Sequence, residues 1–231
     1  NENNPITKIS MTKSKEKSNS LASEKSLPQT LVVCMAFVSG FTIMTVEMLG
    51  ARILAPYFGG SLSVWGSIIT IFMLALATGY LIGGRLSTRS PSPALYGGFF
   101  IGAGLTLLPI LLFSDAVMEP VFLRIEDPRY GSLFASIFLF FIPTSILGMI
   151  SPYSVRLMVK TQQQSGHVAG LLFFVSTVGS AVGTLGTSFY FVLWLEVNQI
   201  LWGAVGALVV AGGIILTVNS LVNRRGSSAD E

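Results

Sequence analysis

Charged side chains fall in a few clusters along the chain and leave six long intervals with none. Asp, Glu, Lys and Arg are all absent from 26–46, 53–84, 90–114, 130–155, 161–195 and 197–223, runs of 21 to 35 residues. A hydrocarbon core about 30 Å thick needs roughly 20 apolar residues of α-helix, because lipid offers no partner to an unpaired backbone N–H or C=O. Each run therefore predicts one transmembrane helix. The spans are placed at Thr30 to Leu54, Leu62 to Leu86, Ala94 to Met118, Ser132 to Ile150, Val168 to Leu193 and Asn198 to Val222. The short alternating segments of a transmembrane β-barrel do not occur. The fold class that follows is an all-α integral membrane protein with six transmembrane helices.

Composition agrees with this pattern and excludes other classes. Of 231 residues, 51% are apolar and only 11% charged, too few charges to solvate an ordinary soluble domain. The net charge of +3 does not point to nucleic acid, since the basic residues flank hydrophobic runs and form no aromatic-interleaved patch. One cysteine, Cys34, and one histidine, His167, leave no disulfide framework and no zinc site. No phosphate-cradling G-x-x-x-x-G-K-[ST] loop and no H-E-x-x-H is present, and the chain has no room for a soluble catalytic domain. No enzyme activity, cofactor or metal is expected of this chain alone.

Residues 1–29 form a Lys/Ser/Asn-rich segment whose composition predicts a disordered tail, 30–222 the membrane domain, and 223–231 a second short tail. With the N-terminus in the cytoplasm, inside segments carry Lys8, Lys13, Lys15, Lys17, Lys25, Arg85, Arg89, Arg156, Lys160, Arg224 and Arg225, whereas outside segments carry only Arg52, Arg124 and Arg129. Eleven against three predicts both termini inside, in an inner (plasma) membrane. Between the third and fourth spans, Asp115, Glu119, Arg124, Glu126, Asp127 and Arg129 predict an outside loop of about 13 residues.

Displacing the chain against itself by 104 residues superposes the first three spans on the last three. It pairs Arg52 with Arg156, Val64 with Val168, Gly66 with Gly170, Gly79 with Gly183 and Gly102 with Gly206. Three helices per unit is an odd number, so the second unit enters the membrane inverted. The expectation is a 3+3 inverted repeat.

Several residues could carry chemistry. Glu47 is the one carboxylate well inside a span, where a charge costs roughly 2–3 kcal/mol even on lenient insertion scales. It could hold a cation, an amine or a transferable proton. Equally, it could pair with Arg52 or bond to a neighbouring helix. Ala55-Pro56-Tyr57-Phe58-Gly59-Gly60-Ser61 predicts that Pro56 ends the first helix and that the glycines make the reversal. Tyr57 and Trp65 are placed as interfacial anchors or as an aromatic cage for an organic cation. Gly79 and Gly83, four residues apart, bare one helix face for close approach of another helix, and Gly179 and Gly183 repeat the spacing. Pro143 and Ser151-Pro152 predict a broken fourth helix, with Tyr153 to Lys160 as a separate amphipathic segment and Pro109 as a similar irregularity in the third. The candidate substrate-binding set is Glu47, Arg52, Tyr57, Trp65, Tyr80 and Ser151, and the candidate cytoplasmic docking set is Arg85, Arg89, Arg156 and Lys160, with Arg224 and Arg225 beside them.

The stretch EMLGARILAPYFGGSLSVWGSIITIFMLALATGYLIGGRLSTR, from Glu47 to Arg89, resembles the membrane portion of fused, membrane-bound spermidine synthase-like proteins. Its marks are the Glu and Arg before an A-P-Y-F-G turn, then V-W-G, then G-Y-x-x-G-G-R. A second block follows in the same order: LGMISPYSVRL from Leu147, GHVAG from Gly166 and STVGSAVGT from Ser176. In that family a membrane bundle of major-facilitator-like character commonly precedes a Rossmann-like domain resembling aminopropyltransferases, which pass an aminopropyl group from decarboxylated S-adenosylmethionine to a diamine. The sequence stops at Glu231 without the acidic residues and nucleotide loop of that domain. The resemblance thus implies a membrane half that anchors a separate, soluble spermidine synthase-like partner and handles a small cationic metabolite such as a polyamine. Two other readings stay open: an independent carrier or half-transporter working as a homodimer, and a structural subunit of a larger membrane complex.

Overall fold

The computed structural model describes residues 27–89, 91–159 and 161–228, and among them every extended element is a helix. Residues 1–26, which hold most of the expected tail, lie outside the described residues, as does Lys160. The helices are α1 (Gln29–Phe58), α2 (Leu62–Arg89), α3 (Pro93–Arg124), α4 (Pro128–Met158), α5 (Ser165–Gly186) and α6 (Val197–Ser228). A 3₁₀ turn, Gln162–Gln164, leads into α5. Beyond Gly186 the chain continues through a π-helical turn, Thr187–Phe191, and one last α turn, Val192–Trp194. All six segments are long and apolar enough to cross a membrane.

The helices outrun the charge-free intervals at most ends, because lipid dictates where charges stop and not where backbone hydrogen bonding stops. At 28 residues, α2 would be about 42 Å long, more than the hydrocarbon core. The expected outside loop shrinks to residues 125–127: Asp115 and Glu119 lie on α3, and Asp127 caps α4 by accepting the Arg129 backbone N–H at 2.9 Å. At the other terminus α6 runs on through the start of the expected tail to Ser228.

The prolines do not break the helices. α1 passes through Pro56 and ends at Gly59, whose φ of 76° is left-handed and suits a residue without a side chain. α4 is continuous through Pro143 and Pro152, so Tyr153 to Met158 is its last part and not a separate segment. Likewise α3 is continuous through Pro109 and Pro120. A proline removes one N–H and crowds one carbonyl, a local loss that packing against neighbouring helices outweighs.

Registers between helices follow from contacts at glycines and hydroxyls. Gly50 meets Phe140 and Gly131 meets Phe58, so α1 and α4 run antiparallel. Gly79 lies against Ser145, Gly83 against Met149, and Ser132 donates to Ser67 at 3.1 Å, so α2 and α4 run parallel. Gly179 and Gly183 lie against the carbonyls of Phe37 and Phe41, which makes α5 parallel to α1. Gly97 and Gly104 meet α6, antiparallel to α3.

Several of these contacts repeat under the 104-residue displacement. The seat of Gly183 on the Phe41 carbonyl maps onto that of Gly79 on the Ser145 carbonyl, and both occur. The approach of Gly83 to Met149 maps onto Thr187 and Thr45, which share a hydrogen bond of 3.1 Å. The contact between Gly104 and Leu208 maps onto itself and so marks a pseudo-twofold axis. The 3+3 inverted repeat is therefore a repeat of packing as well as of sequence.

Candidate functional site

Glu47 lies near the middle of α1 and is 9% exposed. Three residues further on, Gly50 touches Phe140 of α4 and Ile68 of α2. The antiparallel register that pairs position 50 with 140 and 58 with 131 puts Glu47 at the depth of Ile142 and Pro143, one to two residues from Thr144. Among the described residues its carboxyl makes neither hydrogen bond nor ion pair. Pairing with Arg52 does not form, because five residues of helix turn the two side chains about 140° apart, and Arg52 points outward and is exposed.

The hydroxyls of Ser136, Thr144 and Ser145 on α4 are buried and also lack a hydrogen-bond partner. Many Ser and Thr hydroxyls in these helices bond back to a carbonyl one turn earlier, as Thr106 does to Gly102 at 2.9 Å and Thr177 to Phe173 at 2.7 Å. Glu47 on α1 and, within one turn of its depth on α4, Thr144 thus both keep free hydrogen-bonding capacity among the described residues, in surroundings where leaving such groups unmet is costly. Together they could coordinate an ammonium group or another small cation. Sequence reasoning missed the three hydroxyls, since nothing in the residue type distinguishes an unmet serine from one bonded to its own helix.

The other candidate residues are not gathered around Glu47. The Tyr57 hydroxyl donates to Asp115 at 3.2 Å, and its ring packs against Phe122. Trp65 is 36% exposed and makes no ring contact among the described residues, so no cage forms with Tyr57. Tyr80 is 45% exposed on α2. Ser151 on α4 is half-buried, with no hydrogen bond from its hydroxyl among the described residues. By the same register Ser151 lies eight residues, about 12 Å of helix rise, below the level of Glu47.

At the end of the bundle where α2 and α4 finish, Arg85 and Arg156 are exposed. Arg224 is exposed at the same end, while the side chains of Arg89 and Arg225 lie outside the described residues. Just above this end the bundle is closed by aromatic packing. Tyr96 and Tyr153 are fully buried and stacked at 6.1 Å, and Phe99 meets Tyr153 edge-on at 5.1 Å. Tyr96 bonds to Ser154 at 2.8 Å, and Tyr153 accepts the Ser92 N–H at 2.7 Å. The candidate packing glycines Gly79, Gly83, Gly179 and Gly183 are all buried against a neighbouring backbone. No protein-family model, no curated protein and no solved structure matches the chain.

Proposed function

We propose that this chain is the membrane half of a spermidine synthase-like system and that its own contribution is to bind a small organic cation, of the polyamine class, at Glu47. The carrying observation is a buried carboxyl near the middle of α1, with no counter-charge among the described residues. A carboxyl buried without a counter-charge is costly to the fold, and an arriving ammonium group would supply the missing charge. Inverted repeats that meet around a midplane site are a recurrent plan among secondary transporters, which supports passage of the cation as well as its capture. The Lys/Arg distribution supports an inner-membrane protein with both termini in the cytoplasm. Exposed Arg85 and Arg156 would then face that side, where a soluble aminopropyltransferase-like partner could dock.

The test is uptake of labelled spermidine or putrescine into liposomes containing the purified protein. Wild type should accumulate the amine, Glu47→Gln should abolish accumulation while keeping helical content and monodispersity, and Glu47→Asp should retain part of it. No specific uptake by wild type, or uptake indifferent to Glu47→Gln, would overturn the cation reading. Docking is tested separately by co-purification in mild detergent: an aminopropyltransferase-fold protein should be recovered with wild type and lost with Arg85→Glu and Arg156→Glu together. Failure to recover one from wild type would overturn that part alone.

A further inference from the structure

A cavity of about 220 Å³ lies between α1, the π-turn after α5, and α6. It sits on a different side of α1 from Glu47, since Thr45 and Glu47 are two residues, about 200°, apart on the helix. Phe41, Thr42 and Thr45 line it from α1, Phe191 from the π-turn and Gln199 from α6. None of its ten lining residues is charged.

The origin of this space is legible in the repeat. Displaced by 104 residues, Ile200, Gly203 and Ala204 of the cavity wall correspond to Tyr96, Phe99 and Phe100, the buried aromatic packing at the opposite end. The fold therefore accommodates large rings at these positions in one copy, and in the other copy glycine and alanine leave the volume open. The π-turn belongs to the same feature. Its wider turn alters the direction of the residues that follow, Phe191 reaches the wall edge-on to Phe41 at 6.2 Å, and Thr187 is tied to Thr45.

The polar groups in the wall are neutral and have capacity to spare. Thr42 is 2% exposed, yet its hydroxyl has no hydrogen-bond partner among the described residues. Thr45 accepts from Thr187 and keeps its own proton to donate. Gln199 uses its amide oxygen to accept the Glu196 N–H at 3.1 Å, leaving the NH₂. An enclosed cavity of about 150 Å³ is known to hold benzene; this one, open on one side where Leu195, Gln199, Gly203 and Ala207 are exposed, has room for a single ring or a chain of similar bulk with a small polar substituent. We infer that it is a binding site for an uncharged, oxygen-bearing amphiphile, its apolar body against Phe41 and Phe191 and its oxygen on Thr42 and Thr45. This does not rest on the cation reading of Glu47.

Such an oxygen could belong to a free alcohol or phenol, or to the ester of a lipid tail. The helical register favours the free molecule, because Thr42 and Thr45 lie near the middle of α1, deeper than a lipid ester. The experiment is fluorine NMR of 4-fluorobenzyl alcohol with the full chain in lipid nanodiscs, alongside 4-fluorotoluene, which lacks the hydroxyl. Wild type should give a saturable bound resonance for the alcohol, and Glu47→Gln should give the same one. Ala204→Phe, which installs the residue found in the other repeat, should lose it. Thr42→Val, close in shape, should weaken the alcohol about tenfold and leave the toluene unchanged. No saturable resonance in wild type, persistence of it in Ala204→Phe, or equal effects of Thr42→Val on both probes would overturn the site. Native mass spectrometry separates the sources: one lipid retained by wild type and absent from Ala204→Phe would replace the free molecule with a lipid tail.

Discussion

Gly83→Ala adds one methyl group where α2 lies tight against α4. A Cβ at position 83 would sit 2.6 Å from the Met149 carbonyl oxygen and 2.7 Å from its Cα. Ordinary contact begins at 3.4 Å, so the carbonyl is about 0.8 Å too near (3.4 minus 2.6). A flexible side chain could swing aside, but a backbone carbonyl inside a continuous helix cannot, and the helices must separate. A gap of 0.5–1 Å forfeits roughly a quarter to a half of the dispersion energy of each pair it opens. Along this seam the gap would also loosen Gly79 on Ser145 and Gly148 on the Leu76 carbonyl. Overpacking of a tight contact costs typically 1–3 kcal/mol, and we place Gly83→Ala at about 2 kcal/mol. The neighbouring Gly84 is the control, because a Cβ there meets nothing within 4 Å. Gly84→Ala should leave stability unchanged or raise it by up to ~1 kcal/mol through helix propensity. The assay is reversible unfolding in mixed micelles, followed by helical circular dichroism. The reasoning fails if Gly83→Ala is as stable as wild type, or if Gly84→Ala falls with it.

Tyr153→Phe removes the acceptor of the Ser92 N–H and should cost about 1–2 kcal/mol, with faster hydrogen exchange at the Ser92 amide. A double-mutant cycle of Thr45→Val and Thr187→Val should show a coupling of about 0.6 kcal/mol, the usual size for a hydroxyl bond between membrane helices, and a coupling indistinguishable from zero would deny the bond. Glu47→Leu should stabilise the protein by about 2 kcal/mol in the same unfolding assay, since it removes a buried carboxyl with no partner among the described residues; a loss of stability would mean that Glu47 is held by an interaction outside them.

The six spans were legible because the bilayer leaves the sequence little choice, and charge-free runs of the right length have few other uses. The repeat was legible too, through glycines such as Gly79 and Gly183 that one kind of helix contact requires in both copies. Helix ends were not, because beyond the lipid the chain follows caps such as Asp127 and the left-handed Gly59, which hydropathy does not record. Prolines misled for a related reason: their cost is local, and α4 keeps Pro143 and Pro152 inside one helix. Of the site, Glu47 stood out in the sequence as a lone interior carboxylate. The absence of a partner for it among the described residues, the unmet hydroxyls of Ser136, Thr144 and Ser145, and the small-residue cavity wall depend on which face of each helix meets which neighbour.

Comparing the two copies of the repeat separates what the fold requires from what it merely permits. Gly79 and Gly183 are glycine in both, and both lie on a facing carbonyl, so the seam dictates them. Glu47, in contrast, corresponds to Ser151 under the same displacement, a half-buried residue on the equivalent helix. The packing forms with a small neutral side chain in one copy, so nothing in the architecture demands a carboxyl in the other. Phe99 and Phe100 against Gly203 and Ala204 make the same point in volume: one end of the bundle is filled and the other is left open, from a common backbone plan. Departures from the internal symmetry, a carboxyl in one place and a void in another, carry their cost without helping the fold, and that is the physical reason to look for ligands at those two places before any other.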